Sequence, residues 1–159
     1  RSVGVSNFSL KHLLEIRAAG LALPDANQIE LHPWSQKAEL VAFMQDHGVA
    51  PIAYSSLAPL SSWRSQPGQD SARTQAMKAG DSVFASMANR YGVSEAQLLL
   101  RWANQSGYAV LPKSLNAERM RQNLDLESFT ISAEDMAFIL TQDRGAGIAW
   151  SMGDPSLAD

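Results

Sequence analysis

The feature that most constrains this chain is a repeated alternation of short apolar runs with segments of helical periodicity. Ser2 to Val5 reads as a first strand. Ser9 is placed to cap a helix through Leu10, Leu13, Leu14 and Ala18, and Gly20 to end it. Ala26 to Leu31 reads as a second strand, Ser35 to Gly48 as a second helix, and Val49 to Tyr54 as a third strand. The rhythm breaks between Ser55 and Gly80, a stretch rich in Ser, Gln, Pro and Gly. Helical spacing resumes from Asp81 with Val83, Phe84, Met87 and Ala88. Ser94 with Gln97 forms a capping box ahead of Leu98 to Trp102. Tyr108 to Leu111 reads as a fourth strand. Asn116 opens one helix and Ser132 with Asp135 a last one, and the tail beyond Asp143 is expected to be irregular.

Four successive β/α units predict a parallel sheet, because each helix must carry the chain back across it. The strands are nearly continuous apolar runs, as expected when helices cover them. A closed (β/α)8 TIM barrel takes about 250 residues. At 159 residues, the chain fits roughly half of such a barrel plus a C-terminal helix. A small doubly wound open sheet is the alternative, and periodicity leaves it open. No Gly-x-Gly-x-x-Gly follows a strand, which argues against a Rossmann unit.

A net charge of −3 argues against nucleic acid or an anionic membrane as the main partner. With no cysteine, disulfides and thiolate chemistry are excluded. His12, His32 and His47 are too scattered to predict a metal site. No apolar run approaches the roughly 18 residues of a membrane span, no secretory signal is visible, and a cytoplasmic location is the default expectation. Arg1 leads straight into the first strand, so a truncated, processed or incomplete chain is expected.

Polar residues cluster around the ends of the apolar runs: Ser6 and Asn7 follow the first, Gln28 lies in the second, Tyr54 and Ser55 end the third, and Lys113 and Ser114 end the fourth. In α/β barrels ligands bind at the C-terminal ends of the strands, so these residues are expected to share one face. Taken singly, Asn7 and Ser55 read equally well as turn residues. From Leu111 to Asn123 a Lys and a hydroxyl precede a helix N-terminus, with Arg119 in its first turn. Free helix N–H groups, the helix dipole and a guanidinium suit a phosphate. A solvated basic helix with an ordinary cap fits the same residues.

Four segments occur in order: Gly4-Val5-Ser6-Asn7-Phe8, Asn27-Gln28-Ile29-Glu30-Leu31-His32-Pro33-Trp34, Ala53-Tyr54-Ser55-Ser56-Leu57, and Leu111-Pro112-Lys113-Ser114 with Arg119 and Asn123. Together they resemble the aldo-keto reductases. The resemblance spans residues 1–143, leaves 144–159 as an irregular tail, and implies the C-terminal half of a TIM-type barrel, strands five to eight. It implies NADPH as cofactor. Ser6, Asn7 and Gln28 would bond the nicotinamide carboxamide, and Tyr54 would stack on its ring. Ser55 and Leu57 would begin a loop over the pyrophosphate. Lys113, Ser114 and Asn116 would hold the 2′-phosphate region, and Arg119 would pair with that phosphate or stack on adenine. Gln122, where the family often has Glu, and Asn123 would contact adenine. Trp150 is a candidate for the substrate pocket, alongside Trp34 and Trp63. His32 is read as satisfying backbone groups beside Pro33.

The family's catalytic Asp, Tyr, Lys and His belong to the first half of its barrel, so no catalytic residue is assigned here. The implied activity is reduction of an aldehyde or ketone to an alcohol, with this segment supplying the cofactor site. The alternatives are a non-catalytic NADPH-binding module and a truncated half-barrel without function. Half a barrel leaves two sheet edges and an apolar inner face, which predicts pairing with an N-terminal half or self-association.

Overall fold

Four parallel strands lie side by side in the order in which they occur along the chain. They are β1 (Gly4–Ser6), β2 (Ala26–Glu30), β3 (Ala50–Tyr54) and β4 (Ala109–Val110). The computed structural model describes residues 1–62, 83–145, 147, 149–150 and 154–157. The expected Trp63, the stretch to Gly80, the helix start at Asp81, and Gly153 lie outside the described residues. Helix α1 (Leu10–Ala18) joins β1 to β2, and α2 (Ala38–Asp46) joins β2 to β3. Helices α3 (Val83–Tyr91) and α4 (Glu95–Gln105) precede β4. Helices α5 (Ala117–Leu124) and α6 (Ala133–Leu140) follow it. The fold is α/β with a parallel sheet.

Caps read from sequence set most helix starts. Ser9 Oγ accepts from the backbone N–H of His12, and His12 Nδ1 accepts from that of Ser9, so an imidazole completes the box. Ser94 and Gln97 close their box in the same way. At α6 only half of the expected box forms. Ser132 Oγ takes the Asp135 N–H at 3.1 Å, but the Asp135 carboxylate turns to Arg90 and to the Tyr91 hydroxyl. The Tyr91 hydroxyl takes the Ser132 N–H in its place, at 2.9 Å.

Helix α2 departs from expectation by beginning at Ala38 instead of beside Ser35. His32 and Ser35 exchange backbone hydrogen bonds of 3.2 and 2.8 Å across Pro33. Gln36 is buried and donates its side-chain amide to the carbonyls of Pro33 and Ile139. Lys37 takes a left-handed backbone, φ 49°. Contacts with the C-terminal segment thus hold residues 32–37 out of the helix. Strand bounds also shift. Asp25 holds Val3 by a side-chain and a backbone bond, so the ladder starts at Gly4. Tyr108 leaves β4 to pack edge-on against Trp102.

The sheet has two unlike faces. Asn27, Ile29 and Ala53 are fully buried, and Ile29 and Ala53 pack with Leu13, Leu40, Val41 and Met44 of α1 and α2. A second cluster gathers Phe84, Met87, Leu98, Leu99, Trp102 and Ile139. Each such side chain, moved out of water, contributes on the order of 1.5–3 kcal/mol. The opposite face carries one row in register, Ser6–Gln28–Ile52–Ala109. Every member of that row is exposed or half-buried. The helices therefore stabilise one side of the sheet and leave the other open.

The tail is tied down at separate points. The Arg144 N–H donates to the Trp34 carbonyl, and its guanidinium lies 3.5 Å over the Trp34 ring. The Ala149 N–H donates to Glu30. Lys37 Nζ bonds Asp154 and Ser156, and Pro155–Leu157 form a short 3-10 turn.

Candidate functional site

The open row carries a set of polar groups at the C-terminal ends of β1 and β3 and at Gln28, midway along β2 between them. Ser6 and Gln28 are register partners, and Ser6 Oγ donates to the Gln28 carbonyl at 3.2 Å. The Asn7 N–H donates to the same carbonyl at 2.9 Å. The Tyr54 hydroxyl reaches across from β3 and donates to Asn7 Oδ1 at 2.8 Å. Trp150 of the tail donates its indole N–H to the Tyr54 oxygen at 2.7 Å. Four residues singled out from sequence, Ser6, Asn7, Gln28 and Tyr54, are thus brought together, and Trp150 joins them.

The backbone here is strained in two places. Asn7 and Ser55, each immediately after a strand, have φ of 59° and 53°. Asn tolerates this region and Ser less so. Such conformations cluster where a chain must aim a group, at a cost of about 1–3 kcal/mol each. Past Ser55 the chain tightens into a 3-10 turn, Ala58–Leu60, and Leu57 packs on the second core cluster.

Lys113, Ser114, Asn116, Arg119, Gln122 and Asn123 form a separate group beyond β4. The β3–β4 pairing puts this group at the same end of the sheet as Tyr54. Lys113 and Arg119 are exposed, and Gln122 and Asn123 half-buried. Asn116 caps α5 by accepting the Arg119 N–H at 3.0 Å, and Ser114 Oγ accepts the Asn116 N–H at 3.1 Å. Both side chains are therefore engaged in shaping the helix start. No hydrogen bond links this group to the first among the described residues.

Two buried side chains support the site and escaped the sequence reading as site residues. Asn27 clamps the turn after β1, donating to the Phe8 carbonyl at 2.8 Å and accepting its N–H at 3.3 Å. Glu30 is fully buried at the end of β2. Its Oε1 accepts from His32 Nε2 at 2.8 Å, and its two oxygens share the Ala149 N–H at 2.9 and 3.1 Å. The signal was an amide and a carboxylate inside an otherwise apolar run, Ala26 to Leu31, where a polar group must find partners. His32 Nδ1 accepts the Trp34 N–H at 3.3 Å, so the ring serves the backbone on one side and Glu30 on the other. Trp34 is buried in the core.

Among the described residues no cluster of His, Asp and Glu is arranged to hold a metal, and no helix is long and apolar enough to cross a membrane. A parallel α/β sheet with polar side chains converging past its strand ends defines a class of ligand-binding α/β proteins. Within that class the family is specific. The model of the aldo/keto reductase family matches residues 1–141, and the chain belongs to that family. A probable NAD(P)H-dependent D-xylose reductase of Arthroderma otae is 37% identical over 145 residues, which are 91% of this chain and 44% of that protein. An NAD(P)H-dependent pentose reductase of Pyricularia oryzae is 38% identical over the same shares, 91% and 44%. A Bombyx mori aldo-keto reductase solved in complex with NADP superposes with a TM-score of 0.80 at 34% identity, covering 93% of this chain and 46% of that one. The chain thus spans less than half the length of these relatives.

Proposed function

We propose that this chain is the C-terminal half of an aldo-keto reductase barrel, residues 1–143 with the tail 144–159, and that it carries the NADPH site of an enzyme reducing a small aldehyde or ketone. The observation that carries this reading is the bonded set Ser6, Asn7, Gln28 and Tyr54 at the strand ends. It presents an amide and a hydroxyl beside a half-exposed aromatic ring, which suits a flat carboxamide-bearing ring. Tyr54 offers the ring face, and Ser6, Asn7 and Gln28 orient the carboxamide. Ser55 and Leu57 begin the wall along the pyrophosphate. Lys113, Ser114, Asn116 and Arg119 surround the 2′-phosphate, where two exposed cations meet a helix N-terminus. Gln122 and Asn123 border the adenine. NADPH held by these residues would supply a hydride to the carbonyl carbon. The proton for the alcohol comes from outside this chain's residues, and Trp150 lines the substrate side.

The open row Ser6–Gln28–Ile52–Ala109 supports the half-barrel reading, since a closed barrel fills that face from opposite strands. So do the exposed Leu111, Leu115 and Leu124 beyond the edge strand β4. Either the preceding half or a second copy covers them. The test is calorimetric titration of the chain with NADPH, with Arg119→Ala as control. Saturable binding that weakens about tenfold in the variant is expected from loss of a charge-assisted phosphate contact. A folded chain that binds no NADPH, or binds it equally well without Arg119, refutes the assignment.

A further inference from the structure

The three groups Trp150, Tyr54 and Asn7 form a relay of hydrogen bonds that runs donor to acceptor from the tail to β1. An indole N–H is a donor only, so at 2.7 Å the Tyr54 oxygen must accept from Trp150. The Tyr54 hydroxyl in turn donates to Asn7 Oδ1 at 2.8 Å. With its carbonyl oxygen toward Tyr54, Asn7 turns its NH2 away. Asn7 thereby presents the two N–H donors of its amide on its other side.

Trp150 is itself placed from below. The preceding residue, Ala149, is buried and its N–H is shared by both oxygens of the fully buried Glu30. Gly147 passes so close that an added Cβ would lie 2.7 Å from Glu30 Oε2. Glu30 is in turn the register partner of Tyr54. One carboxylate at the end of β2 thus fixes the tail beside the aromatic ring that Trp150 addresses.

We propose that Trp150 and Glu30 are positioning residues for the cofactor: Glu30 seats the tail, Trp150 orders the Tyr54 hydroxyl, and Tyr54 locks the Asn7 amide with its NH2 toward the carboxamide oxygen of a nicotinamide. This rests on the NADPH reading above. Tyr54 then acts through its hydroxyl as well as its ring, and the tail selects for the nicotinamide end of the ligand while sitting outside the adenine end.

The experiment is calorimetric titration of the full chain with two ligands, NADPH and adenosine 2′,5′-bisphosphate, which lacks the nicotinamide. The variants are Trp150→Phe, Tyr54→Phe and Glu30→Gln. Trp150→Phe and Tyr54→Phe keep a ring and remove one polar group. Each is expected to weaken NADPH about 5- to 10-fold, the effect of one misdirected hydrogen bond. Affinity for the bisphosphate should stay within about twofold. Trp150→Phe should add nothing in a Tyr54→Phe background, because both cut one relay. Glu30→Gln should follow Trp150→Phe if it folds, and the two ring variants decide the matter if it does not. Unchanged NADPH affinity, equal loss of both ligands, or additive losses in the double variant overturn the relay while leaving the cofactor assignment standing. A folded parent that binds neither ligand overturns the cofactor assignment, and the relay with it.

Discussion

Replacing Glu30 with Ala tests how much of the fold depends on one buried carboxylate. Glu30 is fully buried and takes hydrogen bonds from His32 Nε2 and the Ala149 N–H. A bond to a charged acceptor contributes about 1.5–3 kcal/mol, so the two donors together set a range of about 3–6 kcal/mol. Removing the carboxylate leaves the buried His32 and Ala149 N–H groups without that acceptor, at about 1–3 kcal/mol apiece, so the expectation is about 4 kcal/mol. At a slope of about 2 kcal/mol per molar urea, the midpoint should fall by about 2 M. A chain ending at Arg144 provides the second arm. There the Ala149 N–H is gone and water reaches the carboxylate, so Glu30→Ala should cost only about 1–2 kcal/mol. The difference between the two arms, about 2–3 kcal/mol, is the coupling of Glu30 to the tail. An intact chain that loses less than about 1 kcal/mol, or an equal cost in both arms, would refute the reasoning.

Three further outcomes follow from the same segment and from the helix caps. Gly147→Ala puts a Cβ 2.7 Å from Glu30 Oε2 and 3.0 Å from Asp154 Oδ2, so it should destabilise by about 1–3 kcal/mol in urea and loosen amide protection at Ala149 in hydrogen exchange. Burial pushes the Asp154 carboxyl up, but the bonds from Lys37 and Ser156 outweigh it and hold the group below its ordinary value of 3.8. A depressed folded-state value means stability that is present above the unfolded value and is lost as pH falls through the folded one. The stability gap between parent and Asp154→Asn should therefore be constant near neutrality and shrink below about pH 4, and a gap independent of pH down to the acid transition would contradict it. Ser94→Ala removes the oxygen that accepts the Gln97 N–H at 3.3 Å and should cost about 1 kcal/mol, seen as faster exchange in the first turn of α4.

What the sequence made legible were features whose causes are local. Ser9, Ser94 and Asn116 cap their helices because each acts on an N–H three residues on. The four strands were legible for the same reason, as short apolar runs between punctuating residues. The start of α2 was not, because residues 32–37 answer to distant partners. Gln36 bonds the Ile139 carbonyl and the Asp143 carboxylate, and Lys37 turns left-handed on its way to Asp154 and Ser156. The return bond of the box at Ser132 was lost to competition from Arg90 and Tyr91. Ser6, Asn7, Gln28 and Tyr54 were expected on one face from their places in and just past the strands, and the bonds that join them bring them together. Glu30 was hidden because the donor it serves, Ala149, lies 119 positions away.

The arrangement of neighbouring amides explains how so short a segment orders its site. Asn27 and Gln28 are adjacent in β2 and therefore face opposite sides of the sheet. Asn27, fully buried on the helix side, grips Phe8 by both its N–H and its carbonyl. Gln28, on the open side, offers its backbone carbonyl to both Ser6 and Asn7. Asn7 lies between these grips with φ at 59°, so its left-handed turn is held from two sides. Its side chain is left to a third partner, the Tyr54 hydroxyl. The strain at Asn7 is thus offset by the bonds of Asn27 to Phe8 and of Asn7 itself to the Gln28 carbonyl. Those bonds aim the Asn7 amide at the Tyr54 hydroxyl on the open side of the sheet.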